Sequence, residues 1–328
     1  MAACSDYAAK LCARAQACEP GVLPLFGYAT NADCVSAQAD SCQLALTEPH
    51  TGYTPTLAQA CGDELAAMTC EAFRSQTTAP ACLAGAGTIA LGGSCDSGSQ
   101  CASRRCNIAD FTRCGTCVAQ VPLGQPCMAF ECADNLVCSL PAVGAASPVC
   151  TKPVGIGGAC IDSSVCPVDA FCAQTTHTCT KLPALGDACD PSIVVFCDPS
   201  TTSAVCDPAT SRCVGPIVVV QPGGGCSGSL ATACAGGTCN FDVDAGTGTC
   251  VGNVPNGGSC APTDQCVSGS SCVGGICQPL VCDGTPGDAG ATAFVAVGRF
   301  TRPRSPLALR PGGWLTGASG ARPDPGAR

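Results

Sequence analysis

Thirty-four cysteines in 328 residues, most of them recurring in fours, constrain this chain more than any other feature. At one residue in ten, cysteine is dense enough to make a disulfide scaffold the leading reading. The residues that normally build a core are scarce: nine Phe, three Tyr, one Trp and three Met. Gly (40) and Pro (26) together make about a fifth of the chain. Ordering each residue costs roughly 1–2 kcal/mol of backbone entropy, which Ala and Cys bury too little area to offset. Cross-links must supply much of the stability, at about 3 kcal/mol for a loop of ~15 residues in the chain-entropy model. Such bridges need an oxidising compartment, so the protein is expected to be extracellular or in the cell envelope.

The start, Met1-Ala2-Ala3-Cys4, has no basic segment followed by an apolar one, so no export signal is visible there. A truncated or internally assigned start is the expectation, with export by a route not readable in the sequence as the alternative. Strongly apolar runs, such as Ile217–Val220, stop at four or five residues, far short of the ~20 that a membrane span needs. Residues 1–282 hold 9 Lys/Arg against 21 Asp/Glu, a balance of −12, whereas the last 46 hold six Arg against three Asp, or +3. An acidic body argues against nucleic acid as a partner, because phosphate binding needs a basic face.

Residues 1–85 read as a helical, disulfide-stapled domain. One helix follows Ser5 as cap and places Tyr7, Leu11 and Ala15 on one face; a second follows Asn31. A third opens with Thr54 as cap and Pro55 at the first helical position. Cys4/Cys12, Cys34/Cys42 and Cys61/Cys70 are spaced 8, 8 and 9, about two helical turns, so each pair is expected on one face. Two such helices side by side can be stapled twice. With Cys18 and Cys82 the region has eight cysteines, whose pairing spacing alone does not give.

From Leu91 to Cys282 the chain repeats. Units open at Leu91-Gly-Gly-Ser-Cys95, Leu123-Gly-Gln-Pro-Cys127, Ile156-Gly-Gly-Ala-Cys160, Leu185-Gly-Asp-Ala-Cys189, Pro222-Gly-Gly-Gly-Cys226 and Asn256-Gly-Gly-Ser-Cys260, with starts 32, 33, 29, 37 and 34 residues apart. Three more cysteines follow each opening one. They are Cys101, Cys106 and Cys114; Cys132, Cys138 and Cys150; Cys166, Cys172 and Cys179; Cys197, Cys206 and Cys213; Cys234, Cys239 and Cys250; and Cys266, Cys272 and Cys277. Short gaps rich in Gly, Ser, Asp and Pro suit tight turns and short hairpins, and the Gly of each opening suits a positive-φ turn. Each unit can hold two bridges. Cys117 and Cys282 fall outside the fours and are expected to bridge to each other, to pair with neighbours or to stay free. Residues 283–328, rich in Arg, Pro, Gly and Ala, read as a disordered tail, with an out-of-frame extension as the alternative. The fold class is therefore small and disulfide-rich: a helical Cys-stapled N-terminal domain, an array of short disulfide knots with minor β-hairpins, and a disordered tail.

The run Cys95-x5-Cys101-x4-Cys106-x7-Cys114-x2-Cys117 resembles the Dickkopf N-terminal cysteine-rich domain, and Cys127, Cys132 and Cys138 continue the likeness. In that family the segment after the C-x-x-C is strongly basic, whereas Val118–Gly124 here carries no charge, so the resemblance implies the module type and not receptor antagonism. The helical Cys-rich head joined to such repeats also resembles a group of exported bacterial Cys-rich proteins of unassigned role.

Motifs for chemistry are weak. Only Cys114-x2-Cys117 has zinc or redox spacing, and His50 and His177 are far from it in sequence. Asp242-Val-Asp244-Ala-Gly246 is a poor calcium loop, with Gly at the fifth position and Asn253 at the twelfth. The G-x-S-x-G, H-E-x-x-H and P-loop signatures do not occur. No catalytic residue, metal ligand or cofactor is assigned. The expectation is an exported, non-enzymatic repeat protein acting as a structural spacer or interaction surface, with another surface protein or an envelope glycan as partner. The alternative is a secreted inhibitor or ligand module whose candidate binding loop carries Phe111 and Arg113.

Overall fold

The computed structural model describes residues 2–284 except 76–77, 84, 109–113, 129–130, 228–230, 243–246, 262–265, 268–269, 280–281 and 283. The tail reading of 283–328 lies outside the described residues, apart from Gly284. All 34 cysteines are bonded, in 17 disulfides, and none is free.

Five helices form the head: α1 (Ala2–Cys18), α2 (Val22–Leu25), α3 (Asn31–Thr47), α4 (Pro55–Ala67) and α5 (Cys70–Arg74). Cys4–Cys42 and Cys12–Cys34 staple α1 to α3 twice in antiparallel register. Cys18–Cys70 ties α1 to α5, and Cys61–Cys82 ties α4 to the segment leading out of the head. Tyr7, Leu11 and Ala15 are buried with Ala58, Leu65 and Phe73 around these sulfurs. Helix starts differ in detail from the sequence reading. Ser5 lies inside α1, and Thr30 rather than Asn31 caps α3, in a capping box with Asp33. Thr54 caps α4 as expected, with Pro55 at its first position. Cys61 and Cys70 do not share a helix, because the chain turns extended at Met68 and Thr69 caps a new helix through the Ala72 N–H.

Beyond the head, six units share one bonding scheme, first cysteine to third and second to fourth. The first-to-third bonds are Cys95–Cys106, Cys127–Cys138, Cys160–Cys172, Cys189–Cys206, Cys226–Cys239 and Cys260–Cys272. The second-to-fourth bonds are Cys101–Cys117, Cys132–Cys150, Cys166–Cys179, Cys197–Cys213, Cys234–Cys250 and Cys266–Cys277. The third and fourth cysteines face each other across a short antiparallel hairpin in every unit, as Cys172 faces Cys179 between Ala170–Ala173 and Thr178–Lys181. They are cross-strand neighbours that bond elsewhere, so each hairpin is pinned on both strands to the loop before it. Apolar burial inside a knot is mostly the sulfurs themselves; unit 4 buries Cys197, Cys206 and Cys213 with Ala204.

In unit 1 the fourth cysteine is Cys117, not Cys114. Cys117 occupies the strand position facing Cys106 and bonds Cys101. Cys114 instead bonds Cys282, across a sequence separation of 168. Among the 17 bridges this one alone joins distant parts of the array, and it returns the end of the sixth unit to the first. Gly284 donates its N–H to Ser94 Oγ (3.2 Å) at the same place.

The array does not extend away from the head. In unit 1, Ser97 and Ser99 donate to Glu48 Oε2 and the Gly52 N–H donates to the Ser99 carbonyl (2.7 Å). In unit 2, Asn135 Oδ1 accepts from the Thr78 N–H (2.8 Å), and in unit 3 the Val168 N–H donates to the Arg74 carbonyl (3.3 Å). In unit 4, the Pro199 carbonyl accepts from the Gly21 N–H (2.8 Å). In unit 5, the Cys234 carbonyl lies so near Gly27 that a methyl there would sit 2.9 Å from it. Five successive knots thus dock on one helical head through the segments around their second cysteines, and the Cys114–Cys282 bridge closes the path.

Candidate interaction surface

Each unit begins with a four-residue turn closed by a backbone hydrogen bond from the fourth residue to the first: Gly93 to Ala90, Gln125 to Pro122, Gly158 to Gly155, Asp187 to Ala184, Gly224 to Gln221 and Gly258 to Pro255. The third residue is always glycine at positive φ, between 78° (Gly124) and 88° (Gly223). That is the type II pattern, which a side-chain-bearing residue enters only at a cost. The glycine N–H then donates to the carbonyl of the unit's fourth cysteine, at 2.7–2.9 Å in all six units. The fourth cysteine's N–H returns a bond to the residue after the glycine, as Cys179 does to Gly158 (2.9 Å). Turn, glycine and fourth cysteine form one locked corner, repeated six times.

The second residue of that turn is Leu91, Leu123, Ile156 and Leu185 in units 1–4. Each side chain is open to solvent, at 62%, 56%, 57% and 47% exposure. An open groove beside the first corner is lined by Leu91, Ala102, Ser103, Arg104, Ala119 and Gln120.

Two polar groups organise the junction between head and array. Gln100 is fully buried: its side-chain nitrogen donates to the carbonyls of Pro49 (3.1 Å) and Cys282 (3.4 Å), and its oxygen accepts from the Asp96 N–H (2.8 Å). One side chain therefore links the head, the first knot and the returning chain end. Glu19, 1% exposed, lines a small enclosed cavity between the head and units 3 and 4, with Phe26, Val168 and Phe196. Burial pushes its carboxyl up to about 7, the Arg74 guanidinium opposes this, and Asp169 and Asp198 reinforce it. Arg74 Nε approaches Glu19 Oε1 at 3.3 Å, but neither atom has a well-directed hydrogen bond, so burial outweighs the pairing. Asp198 goes the other way: burial raises it, but the Ser200 N–H, Lys181 and the Ser200 hydroxyl together hold it below its ordinary value.

Of the residues singled out in the sequence, the 32 cysteines of the head and the fours, with Cys117 and Cys282, are all in bridges. Groups such as Cys160, Cys166 and Cys179 bring three sulfurs within 4.8 Å, but each sulfur is already in a disulfide and has no thiolate to offer. His50 and His177 are not brought together. His50 bonds Thr88 through its ring, and His177 sits at positive φ in the hairpin turn of unit 3, where its N–H bonds the Ala173 carbonyl. Phe111 and Arg113 lie outside the described residues, as do Asp244 and Gly246 of the acidic turn. The corner residues Leu91, Leu123, Ile156 and Leu185 were legible only as markers of the repeat; their exposure came from the fold.

No protein-family model matches this chain, and no solved structure does. Prion-like-(Q/N-rich) domain-bearing protein 25 of Caenorhabditis elegans is 25% identical over 205 residues, covering 57% of this chain and 27% of that protein. The chain thus spans about a quarter of that relative's length. Among the described residues no helix is long and apolar enough to cross a membrane. Seventeen disulfides fit an extracellular Cys-rich module.

Proposed function

We propose that this is an exported, non-enzymatic Cys-rich repeat protein that acts as an interaction surface at the cell envelope, its knots being of the Dickkopf N-terminal type. The observation that carries the reading is the sixfold repetition of one locked corner on knots held around a common head. An array closed on itself by Cys114–Cys282 has little reach, which favours the interaction surface over the spacer. Repeats on a fixed scaffold present equivalent loops and need no catalytic centre. Sulfurs committed to bridges support a binding role over cysteine-based nucleophilic chemistry. The partner is another envelope protein or an envelope glycan.

The test is retention of the oxidised full chain on washed bacterial envelopes, before and after the envelopes are treated with protease or glycan hydrolase. The expected result is saturable retention, lost after one of the two treatments. Recovery of all the protein in the wash would contradict the proposal.

A further inference from the structure

Glu19 sits where units 3 and 4 meet the head. It follows the end of α1, and the backbone bonds that hold the two knots flank it. The Val168 N–H of unit 3 donates to the Arg74 carbonyl (3.3 Å), and the Gly21 N–H donates to the Pro199 carbonyl of unit 4 (2.8 Å). Val168 and Pro199 also line the cavity that Glu19 borders, together with Val22, Phe26, Leu182 and Phe196. Its volume of about 20 Å³ has room for about one water. Every other side chain in that wall is apolar, so an ionised carboxylate there is left almost unhydrated.

The charges around Glu19 do not repair this. Arg74 Nε, 3.3 Å from Glu19 Oε1, makes no directed hydrogen bond to it. Asp169 of unit 3 and Asp198 of unit 4 are themselves buried, at 7% and 6% exposure. The cations are wetter: the side chain of Arg74 is 27% exposed, and that of Lys181, which pairs with Asp198 at 3.0 Å, is 55% exposed. The short helix α2 adds no titratable group. Three acidic groups against two basic leave a net −1 when Glu19 is ionised and zero when it keeps its proton. That surplus falls on the most buried carboxyl of the group, in a junction held by few bonds. Burial, opposed by Arg74 and reinforced by Asp169 and Asp198, accordingly raises the Glu19 carboxyl to about 7.

We propose that Glu19 is a proton-operated catch: protonated, it lets units 3 and 4 seat on the head, and ionised, it releases them and uncovers the apolar wall between. Water then reaches the carboxylate, while the bridges inside each knot keep both units folded as they move. Cys114–Cys282 still closes the array, so the motion is a local opening. The catch works whatever partner the array takes, and it is read on the protein alone.

The test is amide exchange of the oxidised full chain at pH 5 and pH 8, with each rate divided by the intrinsic rate at that pH. Protection of the Val168 and Gly21 N–H groups should fall on the order of a hundredfold at pH 8. The Cys179 and Cys213 N–H groups, whose bonds to Gly158 and Asp187 lie within units 3 and 4, should keep their protection. Glu19→Gln copies the protonated form and should hold both docking amides protected at either pH. Asp169→Asn removes part of the repulsion on the ionised form and should shrink the fall. Intact mass showing every cysteine still bridged certifies each variant. Equal protection of Val168 and Gly21 at the two pH values in the unchanged protein would overturn the catch. So would the full fall persisting in either certified variant, which would place the proton elsewhere. A matching fall at Cys179 and Cys213 would also overturn it, by making the change an unfolding of the knots and not their release.

Discussion

Glycine at the third position of each opening turn supplies the positive φ and aims its N–H at the fourth cysteine's carbonyl. At Gly157 a methyl would meet nothing within 4 Å, so the cost of Gly157→Ala is conformational and not steric. We expect a loss of about 1–2 kcal/mol confined to unit 3, read as faster amide exchange at Cys179 while the head is unaffected. The Gly after each opening apolar residue was legible as a turn former because no other residue type takes that conformation cheaply. Glu19 was not legible, since its character comes from elements far apart in sequence. Its carboxyl rises from an ordinary 4.5 to about 7 in the folded protein, so the folded state holds a proton that the unfolded chain releases earlier. The resulting stabilisation is complete below about pH 4.5 and is lost as pH climbs towards 7, on the order of 3 kcal/mol at most. Denaturation from pH 4.5 to 7.5 should show that decline, and Glu19→Gln should flatten it. An unchanged slope in the variant would move the effect to another group.

Helices and knots were readable to different depths. Period gives α1, α3 and α4 because each buries one face against the others, and the Thr54–Pro55 start is local chemistry, whereas the expected starts at Ser5 and Asn31 were misplaced. The break between α4 and α5 was missed because Cys61, Leu65 and Met68 continue a helical period through a point where Thr69 offers a new cap. In the knots, fours and turns were visible but connectivity was not, since spacing leaves several pairings equally short. A hint lay beside the cysteines of unit 1. Cys117 precedes Val118, as Cys150, Cys179, Cys213 and Cys250 precede Thr or Val, whereas Cys114 precedes Gly115. A β-branched neighbour suits the second strand of a hairpin and so favours Cys117 over Cys114, but unit 6 breaks the pattern, with Cys277 before Gln278 and Cys272 before Val273. Because each knot buries little beyond its own sulfurs, its bridges are its stability. Converting Cys160 and Cys172 together to Ala should cost about 3 kcal/mol and release unit 3 alone. Hydrogen exchange should then rise across 156–179 and remain low in α1, α3 and α4; global unfolding would show that the knots are not independent units.

At the scale of the whole molecule, the sequence suggested a line of knots and the structure shows five of the six docked on the head. Nothing in composition predicts that, because the contacts are a few scattered backbone and side-chain hydrogen bonds between residues far apart in sequence. Gly21 illustrates the closeness: a methyl there would lie 2.1 Å from the Thr202 carbonyl carbon, inside unit 4. Gly21→Ala should therefore separate unit 4 from the head and enlarge the particle in small-angle scattering, with every bridge intact. Exchanging Cys114 and Cys282 together for Ser should open the path while leaving six folded knots, again seen as a larger radius. The account as a whole depends on the bonding scheme, and peptide mapping of the oxidised, unreduced protein reads it directly. It predicts first-to-third and second-to-fourth bonds in every unit and one long-range peptide pair joining Cys114 to Cys282. Recovery of Cys117 joined to Cys282, of third and fourth cysteines joined within hairpins, or of free thiols would contradict it.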